Sequence, residues 1–334
     1  CYSKVRNIID TTKVRKVIIT SVSDDLKNIK KLVYKYNSRG KVPALELNDD
    51  VMTWKEFLNY GYDYQGEVVS LPKATDPAVI LYSGGTSGAP KGILLSNLNF
   101  NALAYQAHNM VEPAEHGKSL LAILPIFHGF GLGVCIHTPL CCGMKTILVP
   151  DFSPKKFITL IKKNKPNIIC AVPSLHETFT KNPGLGKKDL ECLEAVISGG
   201  DFMSQSLKER IDASLKEYGS KAEVRIGYGL TEATTTDMVT AATCLTPRGG
   251  YREGTIGIPF PDTYYKIVAV GTHDEVPTNE DGEICISGPT VMQGYINNEK
   301  ETLQTLRVHE DGRTWLHTGD IGYMDEDGYV YYRQ

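Results

Sequence analysis

Short apolar runs alternate with amphipathic stretches along the first two thirds of the chain. The amphipathic stretches have helical periodicity, and this succession is typical of βα units that build a parallel sheet. The predicted strands lie at 16–20, 78–82, 120–124, 145–149, 167–172, 194–198 and 223–226. The pattern therefore predicts an α/β fold with stacked, largely parallel-sheet βα subdomains.

Three helix starts can be predicted from capping signals. Ser153 precedes Pro154, which suits the first helical position, and Ser204 precedes a second amphipathic stretch. A third helix is predicted from about Ser96. Its inward face is expected to hold Phe100, Leu103, Ala107 and Met110.

The pattern changes after about residue 236. Helical periodicity fades, and Gly and Pro separate short alternating segments at 265–270, 282–287, 315–318 and 329–332. This pattern of short alternating segments predicts a C-terminal antiparallel, barrel-like β subdomain. We therefore expect an α/β core over residues 1–236 and a β subdomain over residues 237–334.

Composition excludes several classes of protein. The chain has 334 residues, of which 41% are hydrophobic and 22% charged, as in ordinary globular domains. A formal net charge of −3 without a basic stripe argues against a nucleic-acid partner. No apolar run is long enough for a transmembrane helix, and the residues from Cys1 onward show no charged-then-apolar leader pattern. We expect a fragment of a soluble, cytoplasmic protein whose oligomeric state is open.

The eight cysteines show no CxxC spacing, and several lie in apolar runs. Such residues are typical of free thiols in a reducing compartment. The pair Cys141 and Cys142 with His137 could be considered as a metal site, but the spacing lacks further ligands. Structural packing is the favoured interpretation.

The segment 82–92, YSGGTSGAPKG, follows a predicted strand and combines glycines, hydroxyls and one cation. Glycines allow backbone N–H groups to approach an anion, and the hydroxyls and lysine add donors and charge. It differs from the P-loop of NTPases because Gly92, not Ser or Thr, follows the lysine. The alternative is a flexible connection. The candidate phosphate-binding residues are Ser83, Gly84, Gly85, Thr86, Ser87, Gly88 and Lys91.

Five further segments follow this loop in a fixed order. They are LPIFHGFG at 124–131, SGGD at 198–201, GYGLTE at 227–232, GEI through GY at 282–295, and WLHTGD at 315–320. Together with the loop, they resemble the adenylate-forming superfamily, which contains acyl-CoA synthetases, firefly-type luciferases and adenylation domains of peptide synthetases. The resemblance covers nearly the whole chain.

The resemblance implies a carboxylic acid as substrate, ATP and CoA as co-substrates, Mg²⁺ as cofactor, and a role for each motif. The loop would hold the β- and γ-phosphates with Lys91. Thr231 would donate to the α-phosphate and Glu232 would bind Mg²⁺. His128 would form a gate between the nucleotide and acyl pockets. Adenine and ribose would contact Gly199, Gly200, Asp201, Tyr228, Gly229 and Asp320.

The charge balance of adenylation independently fits these residues, because ATP and a carboxylate are both anions that a site must bring together. The acyl pocket is expected around 128–130, 227–229 and 233–234. These segments contain no Asp or Arg placed for an amino acid, which favours a fatty acid, although an aryl or branched acid also fits. Glu283, Gly294, Tyr295 and Trp315 are assigned to the barrel-like fold.

Two departures from the family pattern stand out. Gly84 replaces a common Ser or Thr, which removes one hydroxyl near the phosphates. The chain also reaches Gln334 where the family has a hinge, before the small C-terminal domain with its lysine, and Lys91 lies unusually near the start. We expect the large N-terminal domain of an acyl-CoA ligase. The alternatives are an adenylation domain that loads a carrier protein, a non-catalytic nucleotide-binding module, and a structural or interaction protein.

Overall fold

The computed structural model describes residues 2–39, 47–48, 50–67, 70–84, 90–111, 114–149, 152–181, 184–234, 238–239 and 252–333. Four residues of the predicted phosphate loop, Gly85, Thr86, Ser87 and Gly88, lie outside these ranges. The chain divides into two compact units, Cys1–Leu71 and Pro72–Gln334. Sequence analysis did not predict a boundary near residue 71, and the division at residue 236 stays a prediction.

The described part of the first unit contains three short α-helices, two 3₁₀ turns and a two-stranded parallel sheet. The elements are α1 (Tyr2–Arg6), β1 (Val17–Ile19), α2 (Asn28–Asn37), β2 (Val51–Thr53) and α3 (Trp54–Tyr60). Strand β1 pairs with β2 from Val17 opposite Val51. The predicted strand at 16–20 is therefore confirmed.

The second unit contains the remaining strands and helices. The strands are β3 (Pro77–Gly84), β4 (Pro90–Ser96), β5 (Ser119–Ala122), β6 (Lys145–Leu148), β7 (Ile168–Ala171), β8 (Ala195–Ser198), β9 (Val224–Tyr228), β10 (Met238–Val239), β11 (Ile258–Pro259), β12 (Tyr264–Val268), β13 (Gly282–Ser287), β14 (Gly294–Tyr295), β15 (Leu306–Val308), β16 (Thr314–Met324) and β17 (Val330–Tyr332). The α-helices are α4 (Asn97–Met110), α5 (Thr138–Cys141), α6 (Phe157–Asn164), α7 (Pro173–His176), α8 (Gln205–Glu217) and α9 (Glu299–Thr305), and a π-helix spans Phe130–His137.

A seven-stranded sheet in the order β11-β10-β9-β8-β7-β5-β6 forms the centre of the second unit. The five strands from β9 to β6 are parallel, and β10 and β11 add an antiparallel edge. Their side chains alternate between two buried faces. Leu120 and Ile168 pack on one face with α4 and the π-helix, whereas Leu121 and Ile169 pack on the other with α6 and α8.

The C-terminal region forms a five-stranded antiparallel sheet. Its order is β12-β13-β16-β15, and β17 pairs with the far part of the long strand β16. The predicted strands of this region are all present, and the predicted fold class, an α/β core followed by an antiparallel β region, is confirmed. Among the described residues, no helix combines the length and apolarity needed to cross a bilayer.

A third sheet differs from the sequence prediction. Strands β3 and β4 form an antiparallel hairpin around the glycine-rich segment, and β14 pairs with β4 through Tyr295 opposite Ile93. Gly294 and Tyr295 therefore belong to this sheet, and their assignment to the barrel-like sheet was wrong, because their backbone pairs with β4 rather than with β13. Glu283 and Trp315 lie in β13 and β16, as expected.

The predicted helix starts are confirmed. The Ser96 side chain accepts a hydrogen bond from Asn99 N at 3.2 Å, and Asn99 Oδ1 accepts from Ser96 N at 2.7 Å, which forms a capping box. Ser204 caps α8 by accepting from Leu207 N. The Ser153 hydroxyl makes no capping bond, and this helix begins with a 3₁₀ turn at Pro154–Lys156.

Candidate active site

A cavity of about 750 Å³ opens at the carboxyl ends of the parallel strands. His128 follows β5, Gly199 follows β8 and Gly229 follows β9, and all three line this cavity. Loops at this edge of an open α/β sheet are where ligands bind, because the strand ends leave room for side chains from several crossovers. The cavity therefore lies where the motifs of the sequence converge.

Most of the predicted site residues line this one cavity. They are His128, Gly199, Gly200, Asp201, Tyr228, Gly229, Thr231, Glu232 and Asp320. Gly84 ends β3 opposite Pro90 and is exposed, and it is not among the described lining residues. Ser83 and Lys91 reach the cavity indirectly, through contacts described below.

Asp320 is held against Tyr228 at one end of the cavity. Its carboxylate accepts a hydrogen bond from the Tyr228 hydroxyl at 2.6 Å, and its backbone N–H donates to the Thr318 hydroxyl at 3.0 Å. Burial raises the pKa of Asp320, and the Tyr228 bond opposes that rise. An aromatic face and a fixed carboxylate thus lie side by side, which suits an adenine ring and its ribose hydroxyls.

A second polar group forms around Glu232. This carboxylate accepts from the Tyr295 hydroxyl at 3.0 Å and from the Ser83 hydroxyl at 3.5 Å. The Lys91 ammonium lies over the Tyr295 ring, 5.1 Å from its centroid, and pairs with Glu301. Tyr295 therefore connects the predicted metal ligand to the predicted phosphate-binding cation.

The contacts of Tyr295 and Glu301 with the predicted site residues were not expected from the sequence. Both lie about 200 residues from Lys91 along the chain, and they meet it because β14 pairs with β4 and α9 follows β14. Burial and the Glu232 carboxylate raise the pKa of Tyr295, so the phenol stays protonated and can donate. A tyrosine after a glycine carries no local pattern that would have separated this role from simple strand packing.

The donors around Glu232 fit Mg²⁺. The group combines one carboxylate with hydroxyls, and Mg²⁺ prefers oxygen ligands, of which the protein usually supplies only one or two carboxylates. Glu232 also lines the cavity, so a cation there could meet a ligand inside it. Glu232 would hold the ion, and Lys91 would supply a separate positive charge.

Two glycines in this region have different structural requirements. Gly200 has φ = +78°, a conformation that favours glycine. A Cβ added at this position would meet only the Val172 side chain, at 3.8 Å. A side chain at Gly131 would collide with the Pro125 carbonyl, 2.1 Å from an added Cβ. Glycine at 131 is therefore required by this backbone contact and does not indicate free space for a ligand beside His128.

The other end of the cavity is apolar. Helix α4 contributes Leu103 and Ala107, and Val111 follows as the residue that ends this helix. Further apolar lining comes from Phe130, Val134, Ile197 and Phe260. Of the predicted acyl-pocket residues, Ala233 and Thr234 are fully buried and are not among the described lining residues. The Thr234 hydroxyl instead donates to the Thr290 carbonyl at 2.5 Å. That α4 lines the pocket was not predicted, although the four-residue spacing between Leu103 and Ala107 is evident in the sequence.

Comparison with known proteins identifies the family. A model of the AMP-binding enzyme family matches residues 3–296. The chain belongs to the AMP-binding enzyme family. It is 33% identical over 336 residues to a probable 4-coumarate–CoA ligase of Dictyostelium discoideum, a match that covers 99% of this chain and 56% of that protein.

A second relative is the long-chain-fatty-acid–CoA ligase of Bacillus subtilis. It is 33% identical over 323 residues, which cover 95% of this chain and 54% of that protein. The crystal structure of a long-chain-fatty-acid–CoA ligase from Archaeoglobus fulgidus shares the fold, with a TM-score of 0.75, 22% identity, and coverage of 100% of this chain and 60% of that one. The chain thus spans about half the length of the curated relatives it matches.

Proposed function

We propose that this protein is an acyl-CoA ligase that converts ATP and a carboxylic acid to acyl-AMP and pyrophosphate and then transfers the acyl group to the CoA thiol. The observation that carries the proposal is a single cavity with one polar, glycine-rich end and one apolar end. Such a cavity can hold a nucleotide and an apolar acid together, as adenylation requires.

The polar end can divide the nucleotide among named residues. Adenine would lie between the backbone at 199–201 and the Tyr228 ring, and the ribose hydroxyls would donate to Asp320. Thr231 would donate to the α-phosphate, where negative charge develops during adenylation. When bound at Glu232, Mg²⁺ would neutralise phosphate charge, and the loop 83–92 with Lys91 would hold the β- and γ-phosphates.

His128 is suited to the boundary between the two ends. Its Nδ1 accepts a hydrogen bond from Phe130 N at 3.1 Å, so the neutral ring carries its proton on Nε2. Since His128 lines the cavity, this N–H could donate to an oxygen of the acid or of the acyl-adenylate. That hydrogen bond would orient the carboxyl group toward the α-phosphate.

A fatty acid is the favoured substrate. The described lining residues include no Lys or Arg, so they offer no cationic partner for the second carboxylate of a dicarboxylic acid. Several apolar side chains instead surround the space beyond His128. An aryl acid is the second candidate, because Phe130 and Phe260 line that space and a probable 4-coumarate–CoA ligase is equally similar in sequence.

The acyl acceptor distinguishes a CoA ligase from an adenylation domain. CoA would be consumed by the former, whereas the latter would require a phosphopantetheinyl carrier protein. A non-catalytic nucleotide-binding module would bind AMP and release no pyrophosphate with any acid. A structural protein would bind no nucleotide.

The test is pyrophosphate release by the full-length protein across a panel of fatty, aryl and amino acids, followed by thioester formation with CoA. We expect release with fatty acids and a thioester with free CoA, and loss of both in Glu232→Ala. Pyrophosphate release with amino acids alone, or AMP binding without release for any acid, would contradict the proposal.

A further inference from the structure

Three histidines meet on the antiparallel sheet, outside the cavity lining. His273 lies in the connection from β12 to β13, His309 follows β15, and His317 lies in β16. One side-chain nitrogen of each lies within 4.8 Å of the others. The nucleotide cavity contains none of the three among its described lining residues.

The geometry within this cluster is close. Nε2 of His309 is 2.9 Å from Nε2 of His317, and the rings of His273 and His309 stack with centroids 4.2 Å apart. Two facing Nε2 atoms can share only one proton. His309 is buried, and its Nδ1 has no hydrogen-bond partner among the described residues, so hydrogen bonding within the protein does not satisfy this ring.

Glu283 fixes the orientation of His317. Its Oε2 accepts from Nδ1 of His317 at 2.9 Å, and its Oε1 accepts from Gly319 N at 3.0 Å. With the proton held on Nδ1, the Nε2 lone pair of His317 points toward His309. A carboxylate behind a histidine in this way is the usual support for a metal-binding imidazole.

The Lys266 ammonium acts on the His309 ring. Together with burial, which is the larger cause, it lowers the pKa of His309. The Lys266 charge is itself partly balanced by Glu275 at 3.6 Å and Asp311 at 4.0 Å. Neutral imidazole is the form that binds divalent transition metals.

We propose that His273, His309 and His317 form a binding site for a divalent transition-metal ion, with Zn²⁺ as the expected ion. Three imidazoles suit Zn²⁺, Cu²⁺ or Ni²⁺ far better than Mg²⁺ or Ca²⁺, which require oxygen ligands. The ion would tie the β12–β13 connection to the β15–β16 turn. It would be distinct from the Mg²⁺ expected at Glu232.

Calorimetric titration of the chelator-treated 334-residue chain with Zn²⁺ tests the site, with His273→Gln as the decisive variant. His273 is exposed, so its replacement should leave the thermal midpoint without metal unchanged. We expect micromolar or tighter Zn²⁺ binding by the parent and binding at least about tenfold weaker in His273→Gln. Co²⁺ should give the visible absorption of a tetrahedral complex in the parent and lose it in the variant.

Two controls make the result specific. His116→Gln removes another exposed histidine and should bind Zn²⁺ like the parent. His137→Gln tests the competing N/S pair, since His137 Nε2 lies 3.4 Å from the Cys141 sulfur. Failure of the parent to bind Zn²⁺, equal binding by His273→Gln and the parent, or a loss confined to His137→Gln would overturn the assignment.

Discussion

Lys91 has two possible anionic partners, and one of them belongs to the protein itself. Its ammonium pairs with Glu301 across a partly buried contact while also lying over the Tyr295 ring. A triphosphate that needs Lys91 would have to compete with the Glu301 carboxylate. The pair would therefore weaken ATP binding and leave AMP binding, which lacks β- and γ-phosphates, unaffected.

Replacing Glu301 by Gln should tighten ATP binding. Partly exposed ion pairs contribute about 0.2–1 kcal/mol, so removing the competition should increase ATP affinity by between about 1.4-fold and about 5-fold. Calorimetry with ATP and with AMP measures this, and AMP affinity should not change. Glu299→Gln, on the same helix, is the matched control. If ATP affinity were unchanged or lower in Glu301→Gln, Lys91 would not be the phosphate-binding cation.

Glu232 should account for the Mg²⁺ dependence of ATP binding. In Glu232→Gln the amide can still accept from Tyr295 but carries no charge for the cation. We expect ATP affinity at saturating Mg²⁺ to fall about tenfold, which corresponds to roughly 1.4 kcal/mol, and to become nearly independent of Mg²⁺. A variant that kept the parent's Mg²⁺ dependence would place the ion elsewhere.

At the scale of single residues, the sequence predicted the site residues that belong to short, contiguous motifs. Thr231 and Glu232 are adjacent, and the glycines at 199 and 200 come directly after a strand, so their shared position followed from the strand end. Tyr295 and Glu301 could not be found in the same way, because their contact with Lys91 depends on β14 pairing with β4. Long-range pairing leaves no signal in a short motif.

Among the elements, α4 controls the apolar end of the cavity. Leu103 and Ala107 are four residues apart and so share one face of α4, Val111 follows at the end of the helix, and all three line the cavity. Ala107 is the smallest of the three. The volume beyond His128 therefore depends on the side chain at this position.

Ala107→Phe should shorten the range of accepted acids. The added ring would fill space that a long chain needs, so kcat/KM for long acids should fall by at least about tenfold, while short acids and AMP binding are less affected. Asn109→Phe places the same ring on the exposed face of α4 and is the control. An equal loss for short and long acids would show that the space near Ala107 does not hold the acyl chain.

Helix α7 introduces a pH-dependent contribution to stability. His176 is fully buried beside Phe157 and Phe179, and its Nε2 lies 3.0 Å from the Ile197 carbonyl. Burial lowers the pKa of His176 from 6.5 to about 4, although bonds to the Ile197 and Ala171 backbone oppose this. Between these values the unfolded chain binds more protons than the folded one, so stability falls as pH falls.

Denaturant unfolding at a series of pH values tests this contribution. Acidification from pH 6.5 to 4 should lower the free energy of unfolding by about 3 kcal/mol through His176. His176→Gln, which keeps an N–H donor for Ile197, should lose this part of the slope even if it is less stable throughout. His116→Gln should keep the parent's slope, and an unchanged slope in His176→Gln would assign the acid sensitivity to other groups.

The hydrophobic pattern predicted strand positions well in the parallel part of the central sheet. The runs that became β5, β7 and β8 are continuously apolar because both faces of the central sheet are covered. The pattern around β3 was harder to interpret. Leu81 is buried in a core cluster but Ile80 is 41% exposed, because successive side chains of β3 point to opposite faces of its antiparallel sheet. An apolar run alone does not distinguish a strand covered on both faces from one covered on a single face.

On the scale of the whole molecule, core and site are concentrated in the second unit. The described hydrophobic clusters all lie between residues 79 and 332, and so do the described residues lining the cavity. Among the described residues of the first unit, only Val51 and Met52 are buried hydrophobics. So small a core cannot offset the conformational entropy of about 70 residues.

We therefore expect residues 72–334 to fold and to bind AMP when produced alone, and residues 1–71 to show no cooperative unfolding by circular dichroism. Because the described site residues lie in one unit, AMP affinity of the 72–334 protein should match that of the whole chain within about twofold. Asp320→Asn should weaken AMP binding equally in both proteins, which confirms that the same site is measured. A 72–334 protein that unfolds cooperatively but binds no AMP would show that the first unit completes the nucleotide site, and cooperative unfolding of residues 1–71 would show that this unit is stabilised by contacts other than a hydrophobic core.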